Sequence, residues 1–254
     1  RSTLIGGLVG VLAANRKRQT ERVRVFEIGR VFQRDAAAQT VAGFRQPLRV
    51  GGLWAGPALP EQWGAAARNV DFFDVKGDLE ALFDVSSRLT FEKISHPALH
   101  PGRAARVALD GQAIGFLGEL HPQWVQKYEL ASLGNAAPVV FEMDLDAWLD
   151  LTMPAYREVS RFPTVTRDLA LTVARDQALA PLLTALRAAA PGFVRDIGLF
   201  DVYQGKGLPE GQKSLAFHIV MQDTERTLAD AEADAVVAKL VEIASQDFGA
   251  ALRG

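Results

Sequence analysis

No cysteine occurs among the 254 residues of the chain. That excludes a disulfide, a thiolate nucleophile and a cysteine-ligated zinc, and makes a reducing, cytoplasmic setting the default expectation. Long apolar runs are missing too: the most apolar early stretch, LIGGLVGVLAA, runs only from Leu4 to Ala14, far short of the roughly 20 residues a membrane-crossing helix needs. A signal peptide carries its basic residues ahead of the apolar run. Here NRKR follows it and the chain opens on Arg1 without a methionine, so the sequence reads as a piece of a longer protein. Nor is there an excess of positive charge, because 28 Lys and Arg face 30 Asp and Glu for a net charge of −2. Any contact with nucleic acid must therefore come from a local patch. The G-x-S-x-G elbow and the G-x-x-x-x-G-K-[ST] phosphate loop are both absent. QGKGLPEG is glycine-rich but falls between two predicted strands, which suits a flexible hairpin loop.

What is present is the balance of a globular protein, 48% hydrophobic and 23% charged, with a length that suits two ordinary domains. Leu4, Ile5, Leu8, Val11 and Leu12 share one helical face, and Arg16 to Arg18 follow at the end where the helix dipole favours cations. The basic run reads as a helix C-terminus or as a local RNA contact. VFEIGRVFQRD then suggests a strand ending at Glu27, a glycine turn and a second strand opening on Arg30. A strand around LRVGGLWA precedes a helix across FFDVKGDLEALFD with Phe72, Val75, Leu79, Leu82 and Phe83 as its buried stripe. Short strands follow: LTFEKI, ARVAL and AIGFLGEL joined at Asp110-Gly111, and VVFEMDL. Their hairpin order predicts an antiparallel sheet in an α+β domain over 1–151. In HPALHPGR, His96 and His100 stand four apart, as two zinc ligands on a helix would, but Pro97 and Pro101 oppose a helix and favour a structural loop.

Thr152 to Pro163 reads as a linker or extended arm. From there the pattern is β-α-β-β-α-β, the ferredoxin-like split order, placing a second domain at 152–254. Strand alternation assigns Leu169, Leu171, Val173, Phe200, Val202, Leu215, Phe217, Ile219 and Met221 to a core face. The open face then carries Asp168, Ala170, Thr172, Asp201, Tyr203, Ser214, Ala216 and His218. Small residues around one tyrosine form a shallow platform for an unstacked base, with Asp201, Ser214 and His218 at its edges and Lys206 or Lys213 near a phosphate. The alternative is an ordinary half-exposed sheet face.

VFEIGRVFQRD is similar to motif 2 of class II aminoacyl-tRNA synthetases, in which a Phe-Arg-x-Glu pattern supplies an arginine to the ATP α-phosphate. Here the arginine position is Gln33 and the glutamate position is Asp35, and a glycine-rich motif 3 is lacking. An amide cannot replace a guanidinium in that charge-assisted contact. RSTLIGGLVGVLAANRKR, FFDVKGDLEALF, HPALHPGRAARV and IGFLGELHP resemble the catalytic-like module of the bacterial phenylalanyl-tRNA synthetase β-subunit family. YREVSRFPTVTRDLALTV, LFDVYQGKGLPEGQKSLAF and MQDTERTLAD resemble that family's anticodon-binding domain.

The resemblance implies a ligase subunit with no active site of its own. A catalytic α subunit would use ATP and magnesium, the assembly would be an (αβ)₂ tetramer away from membranes, and the second domain would bind the anticodon loop of tRNA(Phe). Ala170, Asp201, Tyr203, Ser214, His218, Lys206 and Lys213 are the candidate anticodon contacts; no metal or cofactor is expected on this chain. Two rivals stand beside this reading: a self-sufficient adenylate-forming enzyme, opposed by Gln33, and a ferredoxin-like small-ligand regulatory module attached to a degenerate synthetase-like domain.

Overall fold

Apolar residues at helical spacing build α1 (Ile5–Lys17), whose buried stripe is Ile5, Leu8, Val9 and Leu12. Val11, expected on this face, is 44% exposed. The stripe is counted from Ile5 at steps of three and four, which selects Val9 and turns Val11 outward. The computed structural model describes residues 1–38, 41, 43–82, 89–130, 136–148 and 159–253. These fall in two compact units, Arg1–Met153 and Pro154–Gly254.

In the first unit β1 (Val23–Arg30) runs straight through the glycine at which a turn was expected, with Gly29 opposite Arg49. Here glycine lets the chain ahead of α1 approach the strand, since a Cβ at Gly29 would press on Arg1 and Leu4. The hairpin lies further on, where β2 (Gln33–Arg34) pairs with β3 (Phe44–Arg45). β4 (Leu48–Ala55) leads to α2 (Phe72–Leu82), which buries Val75 and Leu79. Leu82, expected in that stripe, is 60% exposed, and Phe83 lies outside the described residues.

After β5 (Leu89–Lys93), β6 (Leu99–Leu109) and β7 (Gln112–Leu120) form the expected hairpin. Asp110 at φ 48° and Gly111 at φ 80° supply its two positive-φ positions. HPALHPGR is therefore a loop only as far as Ala98, because the strand takes in His100 and Pro101. Pro101 is tolerated where the β6–β7 register shifts, a place where no ladder N–H is needed. α3 (Pro122–Lys127) and β8 (Val139–Asp144) complete a six-stranded antiparallel sheet ordered β1-β4-β8-β7-β6-β5.

Both sheet faces are covered, which is why VVFEM in β8 is buried throughout. Leu8, Leu12, Leu53 and Val140 pack in one cluster with α1; Val75, Leu79, Leu117, Phe141 and Met143 pack in the other with α2. Glu142 shares the α1 face and is 2% exposed. Its Oε2 accepts from Leu4 N at 2.8 Å and from Thr3 Oγ1, satisfying orphan donors at a helix start that has no cap of its own.

The second unit has the expected order: β9 (Val165–Ala174), α4 (Leu179–Ala189), β10 (Val194–Tyr203), β11 (Gln212–Met221), α5 (Asp230–Phe248) and β12 (Ala251–Leu252). Its antiparallel sheet runs β10-β11-β9-β12. Leu169, Leu171, Val173, Leu215, Phe217, Ile219 and Met221 join residues of both helices in one core. Phe200 and Val202 do not: they are 59% and 46% exposed. β10 is an edge strand, and a bulge between Leu199 and Asp201 marks the point beyond which its side chains leave that core, which Val194, Ile197 and Leu199 still touch. Part of the expected linker is tied down, because Ser160 Oγ donates to Asp223 O at 2.6 Å and Gln222 Nε2 donates to Phe162 O at 2.7 Å.

MQDTERTLAD forms the entry to α5. Ala229 has no side-chain acceptor, so only the reverse half of a capping box forms: Glu232 Oε2 accepts from Ala229 N at 2.9 Å while Arg226 grips both carboxylate oxygens. These contacts, the Arg226 bond first, pull the Glu232 carboxyl from 4.5 down to about 2. A depressed acid stabilises the fold above its unfolded pKa and loses that contribution as pH falls through the folded one. The start of α5 is thus expected to loosen as pH drops from about 4.5 towards about 2. Amide shifts of Ala229 and Glu232 across that window check this, and Glu232→Gln should abolish the dependence.

Candidate nucleic-acid interface

Residues directly opposite one another on antiparallel strands share a face. Tyr203 lies opposite Ser214 and Ser214 opposite Thr172; Asp201 lies opposite Ala216 and Ala216 opposite Ala170; His218 lies opposite Asp168. The structure therefore brings Ala170, Asp201, Tyr203, Ser214 and His218 onto one face, away from the helix-covered core. Alanines at 170 and 216 form the floor, and Tyr203 and Asp201 stand on the edge strand. His218 Nδ1 meets Asp168 Oδ1 at 2.6 Å, which fixes the ring while leaving it exposed.

The tyrosine is held by its own turn. Its hydroxyl donates to Lys206 O at 3.0 Å, and at Gly205 a Cβ would collide with the Tyr203 ring and hydroxyl, so a side chain there would displace the ring. Lys206 sits in this turn, beside the platform. Lys213 does not join the group: opposite the buried Val173, it faces the helices, and its Nζ donates to Gln177 O at 2.7 Å. The alternation that puts Ser214 on the open face necessarily puts Lys213 on the other.

One residue of this face was missed. Arg253 follows β12 at the opposite edge of the sheet, where its N–H donates to Ala170 O at 2.9 Å. Its guanidinium carbon lies 4.9 Å from the Tyr203 ring centroid. The side chain thus reaches across the intervening strands, each about 4.8 Å apart, and Ser214 between them is only 2% exposed. No periodicity signals such a reach. A cation over an exposed ring contributes about 0.5–1 kcal/mol, less than the about 1–3 kcal/mol of a base stacked on an aromatic side chain.

The first unit places the degenerate motif-2 residues apart in role. Gln33 Oε1 accepts from Arg45 Nη2 at 2.7 Å, whereas Asp35 Oδ1 accepts from Ala37 N at 3.0 Å within its own turn. Gln33 also borders a cavity of about 440 Å³ lined by Arg49, His96, Phe116, Trp124 and Glu142. Each histidine that precedes a proline accepts through Nδ1 from the amide two residues on: the Nδ1 atoms of His96, His100 and His121 accept from the amides of Ala98, Gly102 and Gln123 at 3.3, 3.0 and 3.1 Å. Burial pushes the His96 imidazole below its usual pKa, and its ring stacks on Phe116 at 4.2 Å. Neutral, with Nδ1 accepting, it carries its proton on Nε2. Among the described residues no three His, Cys, Asp or Glu side chains are grouped to hold a metal ion.

Comparison with known proteins agrees with this division. The family described as phenylalanyl tRNA synthetase beta chain CLM domain matches residues 1–145, and the ferredoxin-fold anticodon binding domain matches residues 160–253. Proteins named phenylalanine–tRNA ligase beta subunit are similar over the whole chain, with 59% identity in Aromatoleum aromaticum, 56% in Dechloromonas aromatica and 48% in Neisseria gonorrhoeae. The chain spans 31% of the length of each of these relatives. Because the first match alone covers more than half of its residues, the chain belongs to the phenylalanyl-tRNA synthetase β-chain family.

Proposed function

We propose that this chain is a non-catalytic part of a phenylalanine–tRNA ligase β subunit, which docks a catalytic α subunit through its first unit and binds the anticodon loop of tRNA(Phe) through its second. The observation that carries the reading is the sheet face turned away from the helices, on which Tyr203 rises beside small residues and the exposed groups of Asp201 and His218. A single-stranded loop can lay a base on such a face, because every base has a π surface and polar groups at its rim. Ala170, Ala216 and Thr172 leave the room that a larger side chain would fill.

Docking of an α subunit is supported by the edge strand β1, on which Phe26 and Ile28 are 70% and 52% exposed. Apolar side chains on an unpaired edge suit burial against a second chain. Aminoacylation, with ATP and magnesium, belongs to the α subunit in this reading, within a cytoplasmic (αβ)₂ assembly. Gln33 offers a neutral amide, already engaged by Arg45, where adenylate chemistry requires a cation.

Co-purification with an α subunit and tRNA(Phe) tests both units at once. Tyr203→Ala is expected to weaken binding of an anticodon stem-loop about tenfold at fixed salt, within the about 1–3 kcal/mol of one lost stacking contact, without moving the unfolding midpoint. Unchanged affinity would reject the platform.

A further inference from the structure

We propose that the first-unit cavity beside Gln33 is a binding site for a small organic cation, a primary ammonium carried on a short apolar body. Among the described residues that line it, only Arg49 and Glu142 carry a formal charge. Glu142 spends one oxygen inside the fold, since Oε2 takes both the Leu4 N–H and the Thr3 hydroxyl. Oε1 takes neither, and Arg49 Nη1 stands 3.7 Å from it, beyond hydrogen-bond reach. Arg49 is in turn drawn to Asp144, whose Oδ1 lies 3.0 Å from its Nε. One guanidinium thus faces two carboxylates. The start of α1, equivalent to about half a positive charge, offsets part of the excess, and the charged wall stays negative. Leaving a buried carboxylate oxygen without a donor is costly. An ammonium group supplies both the donors and the missing charge.

The rest of the lining suits the apolar body of such a ligand. Phe116 lies directly opposite Glu142 on the neighbouring strand, so its ring shares a sheet face with the carboxylate. His96 stacks on that ring at 4.2 Å, and Trp124 Nε1 donates to Pro97 O at 2.9 Å, which ties the His96 loop to α3. The aromatic wall is therefore set before a ligand arrives. Ring faces attract cations, and Lys127 Nζ already lies 5.1 Å from the Trp124 ring centroid. His96, neutral because burial lowers its pKa, adds no positive charge that would oppose one. On the α1 side Gly6 keeps the space open, because a Cβ there would meet nothing within 4 Å. A carboxylate ligand would bring a third negative charge to the same wall.

Three probes with the same ring and different end groups separate a charge-reading site from a merely apolar one: 2-phenylethylamine, 2-phenylethanol and 3-phenylpropionate. Each is titrated into the full chain at neutral pH and fixed ionic strength, and binding is read from the indole N–H resonance of Trp124. The amine is expected to bind about tenfold more tightly than the alcohol, equivalent to about 1.4 kcal/mol, and the carboxylate more weakly than either. Glu142→Gln should remove the advantage of the amine and leave the alcohol as it was. Gly6→Leu should weaken the amine at least about tenfold by filling the space. Its unfolding midpoint should be no lower than that of the unsubstituted chain, because glycine is the poorer helix former, so it tests the cavity even if Glu142→Gln fails to fold. Equal affinity for amine and alcohol, tighter binding of the carboxylate, amine binding unchanged in Gly6→Leu, or no response to the amine would overturn the site. Such a failure leaves the docking and anticodon readings standing, since Phe26 and Ile28 lie opposite Gly52 and Val50, on the other sheet face.

Discussion

Glu142→Ala is expected to destabilise the first unit by about 3–5 kcal/mol, the range for breaking a buried ion pair by removing one partner. Glu142 is 2% exposed, and its two oxygens do different work. Oε2 terminates α1 by accepting from Leu4 N at 2.8 Å and from Thr3 Oγ1; Oε1 faces Arg49 Nη1 at 3.7 Å. Alanine leaves a buried amide without an acceptor and an 88% buried arginine side chain whose remaining partner, Asp144 at 3.0 Å from Nε, is near but poorly aligned for a hydrogen bond. Glu142→Gln retains an acceptor for Leu4 N and is expected to lose less, about 1–2 kcal/mol. Denaturant unfolding followed by tryptophan fluorescence reads this unit alone, because all four tryptophans (Trp54, Trp63, Trp124 and Trp148) precede Met153. Equal losses for alanine and glutamine would show that charge, and not the cap, dominates.

Phe217→Ala is expected to cost the second unit about 3–5 kcal/mol, the usual loss for removing a fully buried phenylalanine. Phe217 is 0% exposed, lies opposite Leu169 and Leu199, and occupies the core shared with α4 and α5. Its neighbours Ala216 and His218 face the other way, onto the platform, so the substitution removes the support of the proposed RNA surface without touching that surface. Stem-loop binding and secondary structure of the second unit should then fall together, while the tryptophan transition of the first unit stays in place. Tyr203→Ala is expected to do the reverse, losing binding at constant stability. A Phe217→Ala chain that melts normally would mean that neighbouring side chains refill the cavity.

Much of this architecture was legible along the chain. Strand alternation placed the open-face residues of β9 and β11, and placed Asp201 and Tyr203 because its count began beyond the bulge between Leu199 and Asp201; Asp110-Gly111 marked a true two-residue turn. Gly29 misled because glycine was read as a turn where its use is close approach. Phe200 misled because it sits in the bulge, where alternation breaks, and Val202 because alternation assigns a face and says nothing about whether a helix extends over it. The first-unit cavity beside Gln33 gave no signal either, since its walls come from α1, β4, β7, β8 and the His96 loop.

The sequence by itself determined the βαββαβ order, the antiparallel hairpins and, where no bulge intervenes, which side of a strand a residue occupies, because periods of two and 3.6 are properties of the local backbone. It also located the break in the motif-2 pattern at Gln33, because residue identity alone decides whether a cation is available. Only the tertiary structure decided that Glu142 caps a helix 138 residues away, that Lys213 is spent on Gln177, and that Arg253 crosses the sheet to Tyr203. Those outcomes depend on which distant segments the folded sheet brings within a side chain's reach, and chain periodicity carries no measure of that distance.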